Sequence, residues 1–126
     1  MSAARRVIVI DDHHSLRRNL VALLQDEGFV VFDAADGESA LALLADQGCD
    51  VAIVDIRLPG MSGYELLPCL HARYPEMTLL IHTGSVDFLL TPELSALGIA
   101  EDDIFFKPIA DTKQFVRRIQ RAGDSS

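Results

Sequence analysis

The stretch VIVIDDHHSLRR, residues 7 to 18, joins four β-branched apolar residues to two adjacent acids, Asp11 and Asp12. A run of this kind is typical of a buried strand. Charge at the end of a buried segment is costly unless it is paired. The two acids therefore need either a partner cation or a helix terminus to stabilise them, and the rest of the chain decides between these alternatives.

Short apolar runs alternate with segments of helical periodicity along the whole chain. After the first run, Leu16, Leu20, Leu23 and Leu24 recur at helical spacing and predict a buried stripe on a helix that ends at Gly28. The predicted strands cover residues 7–10, 30–34, 51–55, 78–83 and 103–107. Further helices are predicted over residues 38–47, over residues 62–74 and from residue 112 onward.

Five apolar strands that alternate with helices predict a parallel sheet covered by helices on both faces. This is a three-layer α/β architecture. In the flavodoxin-like strand order 2-1-3-4-5, strands one and three are neighbours, and ligands bind at the carboxyl edge between them. We expect this five-stranded order here.

Composition and charge limit the classes of function. The chain has 126 residues, of which 49% are hydrophobic, and this is the size of one ordinary domain. A formal net charge of −8 argues against direct binding to nucleic acid or to anionic lipid. The first residues resemble neither a secretory signal nor a membrane span. We therefore expect a soluble cytoplasmic protein without membrane insertion.

The two cysteines predict no metal site. Cys49 and Cys69 lack a CxxC-type spacing and stand in apolar surroundings. Buried free thiols in a reducing compartment are the interpretation that we favour over a disulfide.

Polar residues that periodicity does not explain all fall at the ends of strands. Asp11 and Asp12 follow strand one, Asp55 ends strand three, Thr83 ends strand four and Lys107 ends strand five. The carboxyl ends of parallel strands share one edge of the sheet, and adjacent strands lie about 4.8 Å apart. We therefore expect the three carboxylates to converge, with the hydroxyl and the ammonium group beside them.

Converging carboxylates need a cation. Two unit charges about 4 Å apart repel by about 4 kcal/mol at an effective dielectric constant near 20. Charged oxygen ligands suit a hard divalent ion, and carboxylates combined with water and a phosphate oxygen describe a Mg²⁺ site. Thr83 and Lys107 would complete a cradle for a phosphoryl group. Asp55, between them, could act as a nucleophile through an aspartyl phosphate.

These residues stand in motifs that resemble the receiver domain of bacterial two-component response regulators. The matching motifs are IDD after strand one, VDIRLPGMSGYELL after strand three, HTGS after strand four and FFKPI after strand five. The resemblance runs from about residue 6 to residue 121. It implies a doubly wound (βα)5 fold over residues 1–126 as a single stand-alone receiver domain, with residues 122–126 as a frayed tail.

The resemblance also implies a role for each residue of the site. Asp55 would accept a phosphoryl group from the phosphohistidine of a sensor histidine kinase or a histidine phosphotransfer protein. Asp11, Asp12, Asp55 and the backbone carbonyl of Arg57 would hold Mg²⁺, and Thr83 and Lys107 would contact the phosphoryl oxygens. The phosphorylated surface would then bind an unidentified downstream protein. A cis peptide bond before Pro108 is implied as well.

Simpler interpretations exist for several of these residues. Asp11 and Asp12 could be helix caps favoured by the helix dipole, and Asp55 could be an ordinary loop carboxylate. His13 and His14 lie at the start of the first helix and are expected to be exposed polar residues rather than ligands.

Two features depart from the family pattern. Ile104 stands three residues before Lys107, where the family usually has an aromatic switch residue. The fourth helix is predicted to begin only at Pro92, with Thr91 as its cap, so that the apolar residues of GSVDFLL, residues 84–90, must pack inward or meet a partner. Our hypothesis is a modified recognition surface in that segment.

Three functions remain open on the sequence. The favoured one is a phosphorylatable, non-enzymatic signalling switch that acts through protein contacts. The second is a binding module that lacks phosphoryl transfer. The third is a Mg²⁺-dependent phosphatase, although Arg57 stands two residues after Asp55, where such an enzyme would need a general acid.

Overall fold

The computed structural model describes residues 4–122. Strands and helices alternate along this part of the chain, as the apolar runs predicted. The strands are β1 (Arg6–Ile10), β2 (Val30–Ala34), β3 (Val51–Val54), β4 (Thr78–Thr83) and β5 (Ile104–Phe106). The helices are α1 (His14–Asp26), α2 (Gly37–Asp46), α3 (Gly63–Arg73), α4 (Pro92–Ser95) and α5 (Thr112–Gln120), with a 3₁₀ turn over Glu101–Asp103.

The five strands form one parallel sheet in the order β2-β1-β3-β4-β5. This confirms the predicted strand order and the α/β class. β1 and β3 pair directly, with Ile10 opposite Val54. The last residues of these two central strands therefore lie side by side at the carboxyl edge.

The first apolar run supplies both faces of the sheet, because successive side chains of a strand point to opposite sides. Val7 and Val9 pack into the core beneath α1 and α5. Ile8 and Ile10 pack into the core beneath α2, α3 and α4. All four are at most 1% exposed, and burial on both faces explains why this run is continuously apolar rather than alternating.

Side chains cap α2, α3, α4 and α5, whereas the first residue before α1, His13, makes no side-chain cap hydrogen bond. The Ser62 hydroxyl accepts from the backbone N–H of Glu65, and the Glu65 carboxylate accepts from the N–H of Ser62, which is the predicted capping box. Thr91 caps α4, with Pro92 as the first helical residue. The expected late start of the fourth helix is thus confirmed.

Several local expectations are wrong. β3 ends at Val54 and β5 at Phe106, so Asp55 and Lys107 each stand one residue beyond their strand. Leu16 was expected in the buried stripe of α1 but is 40% exposed, because in the first turn of that helix it lines an open cleft beside Leu20 and Pro108.

The carboxyl-terminal segment and the two cysteines also differ from expectation. Ala122 was expected to begin a frayed tail, but it is fully buried against the core beneath α5. Residues 123–126 of that tail lie outside the described residues. Cys49 and Cys69 are free thiols but only half-buried, and burial raises the pKa of Cys49 to about 11.

No helix within residues 4–122 combines the length and the apolar character that crossing a membrane would require.

Candidate functional site

Backbone hydrogen bonds hold the site residues just beyond the ends of the strands. The N–H of Asp11 donates to the Ala34 carbonyl at 3.1 Å, and the N–H of Asp55 donates to the Ile10 carbonyl at 3.0 Å. The N–H of Lys107 donates to the Thr83 carbonyl at 2.8 Å. These bonds continue the ladder of the sheet by one residue, so that each side chain starts from a fixed backbone position.

The three acids converge at the carboxyl edge, as their positions after β1 and β3 predicted. Asp11, Asp12 and Asp55 each place a carboxylate oxygen within 4.8 Å of the other two. Asp11 and Asp55 are buried, whereas Asp12 is exposed. Among residues 4–122, no histidine or cysteine joins this cluster. Three charged oxygen donors are the ligands that a hard divalent cation prefers, so the residues fit Mg²⁺.

Lys107 bridges the two buried acids. Its ammonium Nζ donates to Asp11 Oδ2 at 2.7 Å and to Asp55 Oδ2 at 3.0 Å. Burial works to lower the pKa of Lys107, but the hydrogen bonds and charges of both carboxylates outweigh burial and raise it. The lysine therefore stays charged and links β5 to β1 and β3. The peptide bond that follows it, to Pro108, is cis, as the family resemblance implied.

Asp55 carries a partly uncompensated charge. Burial raises its pKa and the charge of Asp11 adds to the rise, while the hydrogen bond and charge of Lys107 and the N–H of Arg57 oppose it. The N–H of Arg57 donates to Asp55 Oδ1 at 3.3 Å. One ammonium group thus serves two buried carboxylates, and the net result is a raised pKa for Asp55.

Asp55 lies in an open cleft of about 540 Å³. Thr83 and Lys107 line it on one side, and Asp12 and His13 line it on another. Thr83 Oγ1 accepts from the N–H of Ser85 at 3.1 Å, which fixes the oxygen and leaves the hydroxyl proton available to donate. The cleft therefore brings together a carboxylate, an ammonium group and a hydroxyl donor.

His13 and His14 are exposed, as expected. His13 reaches the site through its backbone, because its N–H donates to Asp11 Oδ1 at 2.8 Å. The exposed Arg57 side chain lines the cleft.

The segment before α4 presents apolar side chains to solvent beside the cleft. Val86 is 84% exposed and Leu89 is 78% exposed. Phe88 packs inward instead, with its ring 6.0 Å from the ring of Tyr64 on α3. Ile104 is half-buried against the same core. Phe88 therefore packs inward, whereas Val86 and Leu89 do not, and for these two the alternative that they meet a partner stays a prediction.

Four residues that shape the site were not predicted from the sequence. Arg17 donates to the backbone carbonyl of Asp11 and to the carboxylate of Asp33. His82, buried on β4, has its pKa lowered to about 4 by burial and by the charge of Lys107, against an opposing effect of Asp11, so it is neutral at pH 7. Asp33 interrupts the apolar run VVFDA of β2, and an acid inside such a run was the signal that a basic partner is near.

Gly63 is the fourth of these residues. A Cβ atom on Gly63 would lie 2.5 Å from the carbonyl oxygen of Asp55 and 2.7 Å from the Cα of Ile56. Only glycine allows the start of α3 to approach the Asp55 backbone this closely. The sequence shows a glycine in a loop but cannot show which backbone approaches it.

Comparison with known proteins identifies the family. The family model described as "Response regulator receiver domain" matches residues 7–120. This chain belongs to the response regulator receiver family. A CheY-like receiver domain protein from Methanospirillum hungatei has a similar structure, with a TM-score of 0.80 and 27% identity over 97% of this chain and 95% of that chain. The domain is thus a phosphoacceptor module of two-component signalling.

Curated relatives of this receiver domain are longer proteins. It is 37% identical over 107 residues to the transcriptional regulatory protein FixJ of Azorhizobium caulinodans, covering 83% of this chain and 49% of FixJ. It is 35% identical over 107 residues to a protein-glutamate methylesterase/protein-glutamine glutaminase of Caulobacter vibrioides, covering 84% of this chain and 31% of that protein. The chain therefore spans half or less of either relative, and one of the two is an enzyme.

Proposed function

We propose that Asp55 of this receiver domain accepts a phosphoryl group from the phosphohistidine of a sensor histidine kinase or of a histidine phosphotransfer protein. The observation that carries the proposal is the convergence of Asp55 with Asp11, Asp12 and Lys107 in an open cleft. An Asp55 carboxylate oxygen forms the new bond to phosphorus. The bond from phosphorus to the donor imidazole breaks, its electron pair stays on the nitrogen, and that nitrogen takes up a proton from solvent.

Lys107 and Thr83 are proposed to stabilise the phosphoryl oxygens. The raised pKa of Lys107 keeps its ammonium charged. The Thr83 hydroxyl retains a proton to donate, because its oxygen accepts from Ser85. Donors fixed in advance around developing negative charge are an effective way to lower the barrier of phosphoryl transfer.

Asp11, Asp12, Asp55 and the backbone carbonyl of Arg57 are proposed to hold Mg²⁺. Support comes from the donor set, since three carboxylates lie together with one ammonium that pairs with two of them, which leaves surplus negative charge. When bound, the ion would neutralise the carboxylates and the charge that develops on the phosphoryl oxygens.

The output is proposed to be a changed set of protein contacts rather than an enzymatic activity of the domain, with a downstream protein still to be identified. The exposed Val86 lines the cleft that contains Asp55, so a change at Asp55 occurs next to an apolar surface that a partner can contact. The free thiols of Cys49 and Cys69 are consistent with action in the reducing cytoplasm.

The test is phosphorylation in solution. Wild type, Asp55→Asn and Asp46→Asn are incubated with a small phosphodonor, with and without Mg²⁺, and analysed by intact mass spectrometry and by release of inorganic phosphate. We expect one phosphoryl group per chain in wild type and in Asp46→Asn, which changes an exposed carboxylate on α2. Asp55→Asn should remain unmodified, and omission of Mg²⁺ should abolish the reaction.

The other outcomes overturn the proposal. Absence of an adduct in wild type would assign the domain to the binding modules without phosphoryl transfer. Many turnovers per chain would assign it to the hydrolases. For the output, binding partners captured with an acyl phosphate mimic on wild type are compared with those of Asp55→Asn, and identical sets would contradict signalling by changed contacts.

A further inference from the structure

We propose that Arg17 is a positioning residue that holds the Asp11–Asp12 turn in the conformation needed to bind the divalent cation. The inference rests on the proposed function, because it takes the three carboxylates as the metal site. Arg17 lies in the second turn of α1, and its side chain is only 12% exposed. Its guanidinium group donates through Nη1 to the backbone carbonyl of Asp11 at 2.8 Å and through Nε to Asp33 Oδ2 at 2.7 Å.

Asp33 of the sheet holds the Arg17 guanidinium group in place. Asp33 belongs to β2 and pairs with Val9 of β1 in the ladder. An arginine presents several donors in one rigid plane, so the bond to Asp33 fixes the direction of the bond to Asp11. The Asp33 carboxylate also offsets the guanidinium charge of Arg17 next to the proposed cation site, and it shares this role between Arg17 and Arg18.

The two acids of the turn depend on this anchor to different degrees. The Asp11 side chain is already fixed, since Oδ1 accepts from the N–H of His13 and Oδ2 accepts from Lys107. The Asp12 side chain has no hydrogen-bond partner within residues 4–122, so its position is set by the backbone alone. The peptide group that joins Asp11 to Asp12 contains the carbonyl to which Arg17 donates. Arg17 therefore controls the direction of the exposed Asp12 ligand.

Arg18 provides a matched control. It is the next residue of the same helix, and it contacts the same carboxylate, Asp33 Oδ1, at 3.3 Å. Its side chain is 54% exposed and makes no hydrogen bond to Asp11. Arg18→Gln removes the same charge from the same helix while leaving the anchor of the turn intact.

The test compares wild type, Arg17→Gln, Arg17→Lys and Arg18→Gln as full chains. The Mg²⁺ dissociation constant is measured by calorimetry, and the rate of phosphorylation by a small phosphodonor is measured as a function of Mg²⁺ concentration. We expect Arg17→Gln to raise the dissociation constant about tenfold, the size of effect seen when a group that orients a metal ligand is removed. Arg17→Lys should also weaken binding, because one ammonium cannot reproduce the two-point anchor. Arg18→Gln should bind as wild type does.

A split between metal affinity and rate separates positioning from a purely structural role. At saturating Mg²⁺, Arg17→Gln should phosphorylate at the wild-type rate, because the carboxylate nucleophile and Lys107 are unchanged. If Arg17→Gln does not fold, Arg17→Lys and Asp33→Asn carry the test, since Asp33→Asn weakens the anchor without touching the turn.

Two results would overturn the inference, and they are distinguishable. If wild type binds Mg²⁺ and the folded Arg17 and Arg18 variants share its dissociation constant, the inference fails and the proposed function stands. If wild type itself does not bind Mg²⁺, the proposed metal site fails and this inference fails with it.

Discussion

The two edges of the sheet both contain charged residues, but they balance their charges differently. At the amino edge, the Asp50 carboxylate accepts from the N–H of Arg6 at 2.8 Å. The Arg6 guanidinium donates to the Gln47 side chain at 2.9 Å and to the Gly48 carbonyl, and it lies over the ring of Phe32. One acid and one base stand there, and each is hydrogen-bonded to uncharged groups.

At the carboxyl edge, three acids cluster around a single lysine that pairs with two of them. Asp11 and Asp55 are buried and both bind the Lys107 ammonium, while Asp12 stands beside them and has no basic partner among residues 4–122. A cluster that serves only stability has no reason to keep surplus like charge, because repulsion and burial both oppose it. The surplus charge therefore distinguishes the functional edge from the structural one.

The largest effect expected is that of removing the shared base. Lys107→Met leaves two buried carboxylates without their cationic partner, and we expect the free energy of unfolding in metal-free buffer to fall by about 3 kcal/mol. Added Mg²⁺ should recover part of this loss, because it supplies the missing positive charge. Urea denaturation followed by circular dichroism measures both effects.

The control for this prediction is Arg6→Met at the amino edge. It should also lose stability, since it gives up several hydrogen bonds, but Mg²⁺ should not restore it. Equal responses of the two variants to Mg²⁺ would contradict the distinction between the two edges.

An intermediate loss of stability is expected from replacing Gly63, which packs closely against the Asp55 backbone. In Gly63→Ala, the new Cβ would meet the Asp55 carbonyl oxygen at 2.5 Å, so α3 has to move. We expect a loss of about 2 kcal/mol in unfolding free energy, in the range of overpacked sites, together with weaker Mg²⁺ binding. Gly48→Ala at the amino edge meets no atom within 4 Å and should change stability by less than about 0.5 kcal/mol. Similar losses for both variants would show that α3 does not constrain Asp55.

The smallest effect is the change in unfolding free energy when one acid at each edge is neutralised, and we expect opposite signs at the two edges. The pKa of Asp55 is raised in the folded protein, so its charged form costs stability above that pKa. Asp55→Asn should therefore be more stable than wild type at pH 7 without metal, by less than about 1 kcal/mol. The advantage should shrink as the pH falls through the folded pKa toward the ordinary value of 3.8, where wild-type Asp55 becomes protonated as well.

Asp50→Asn provides the comparison. It replaces a charge-assisted hydrogen bond to Arg6 by a neutral one and should be slightly less stable than wild type at pH 7. Unfolding free energies at pH 7 and pH 4 test both variants, and a loss of stability in Asp55→Asn at pH 7 would contradict a net cost of its charge.

Periodicity predicted the elements well wherever burial on one or both faces controls the choice of residue. VIVI and VAIV are buried on both sides, and both form central strands. Prediction was poorer at the ends of strands and helices. There, the identity of the next residue does not determine whether the backbone hydrogen-bond pattern continues. Asp55 and Lys107 thus fall one residue outside their strands, although the ladder still holds their N–H groups.

The segment before α4 shows the same limit for side-chain direction. Phe88, Val86 and Leu89 are all apolar, so the sequence alone does not predict which of them is buried. In the structure Phe88 packs on Tyr64, while the other two point to solvent, because an irregular segment has no period that assigns its side chains to a face.

By itself, the sequence determined the alternation of strands and helices and the edge at which Asp11, Asp12, Asp55, Thr83 and Lys107 meet. It did so because parallel strands bring their carboxyl ends to one side. Only the tertiary structure decided which of these groups bond to one another. Three such contacts are the bridge from Lys107 to the two buried acids, the hydrogen bond from Arg17 to Asp11, and the close approach of Gly63 to Asp55. Each joins residues that are distant in the chain or that face each other across a loop. Their geometry depends on tertiary packing, which no local sequence pattern encodes.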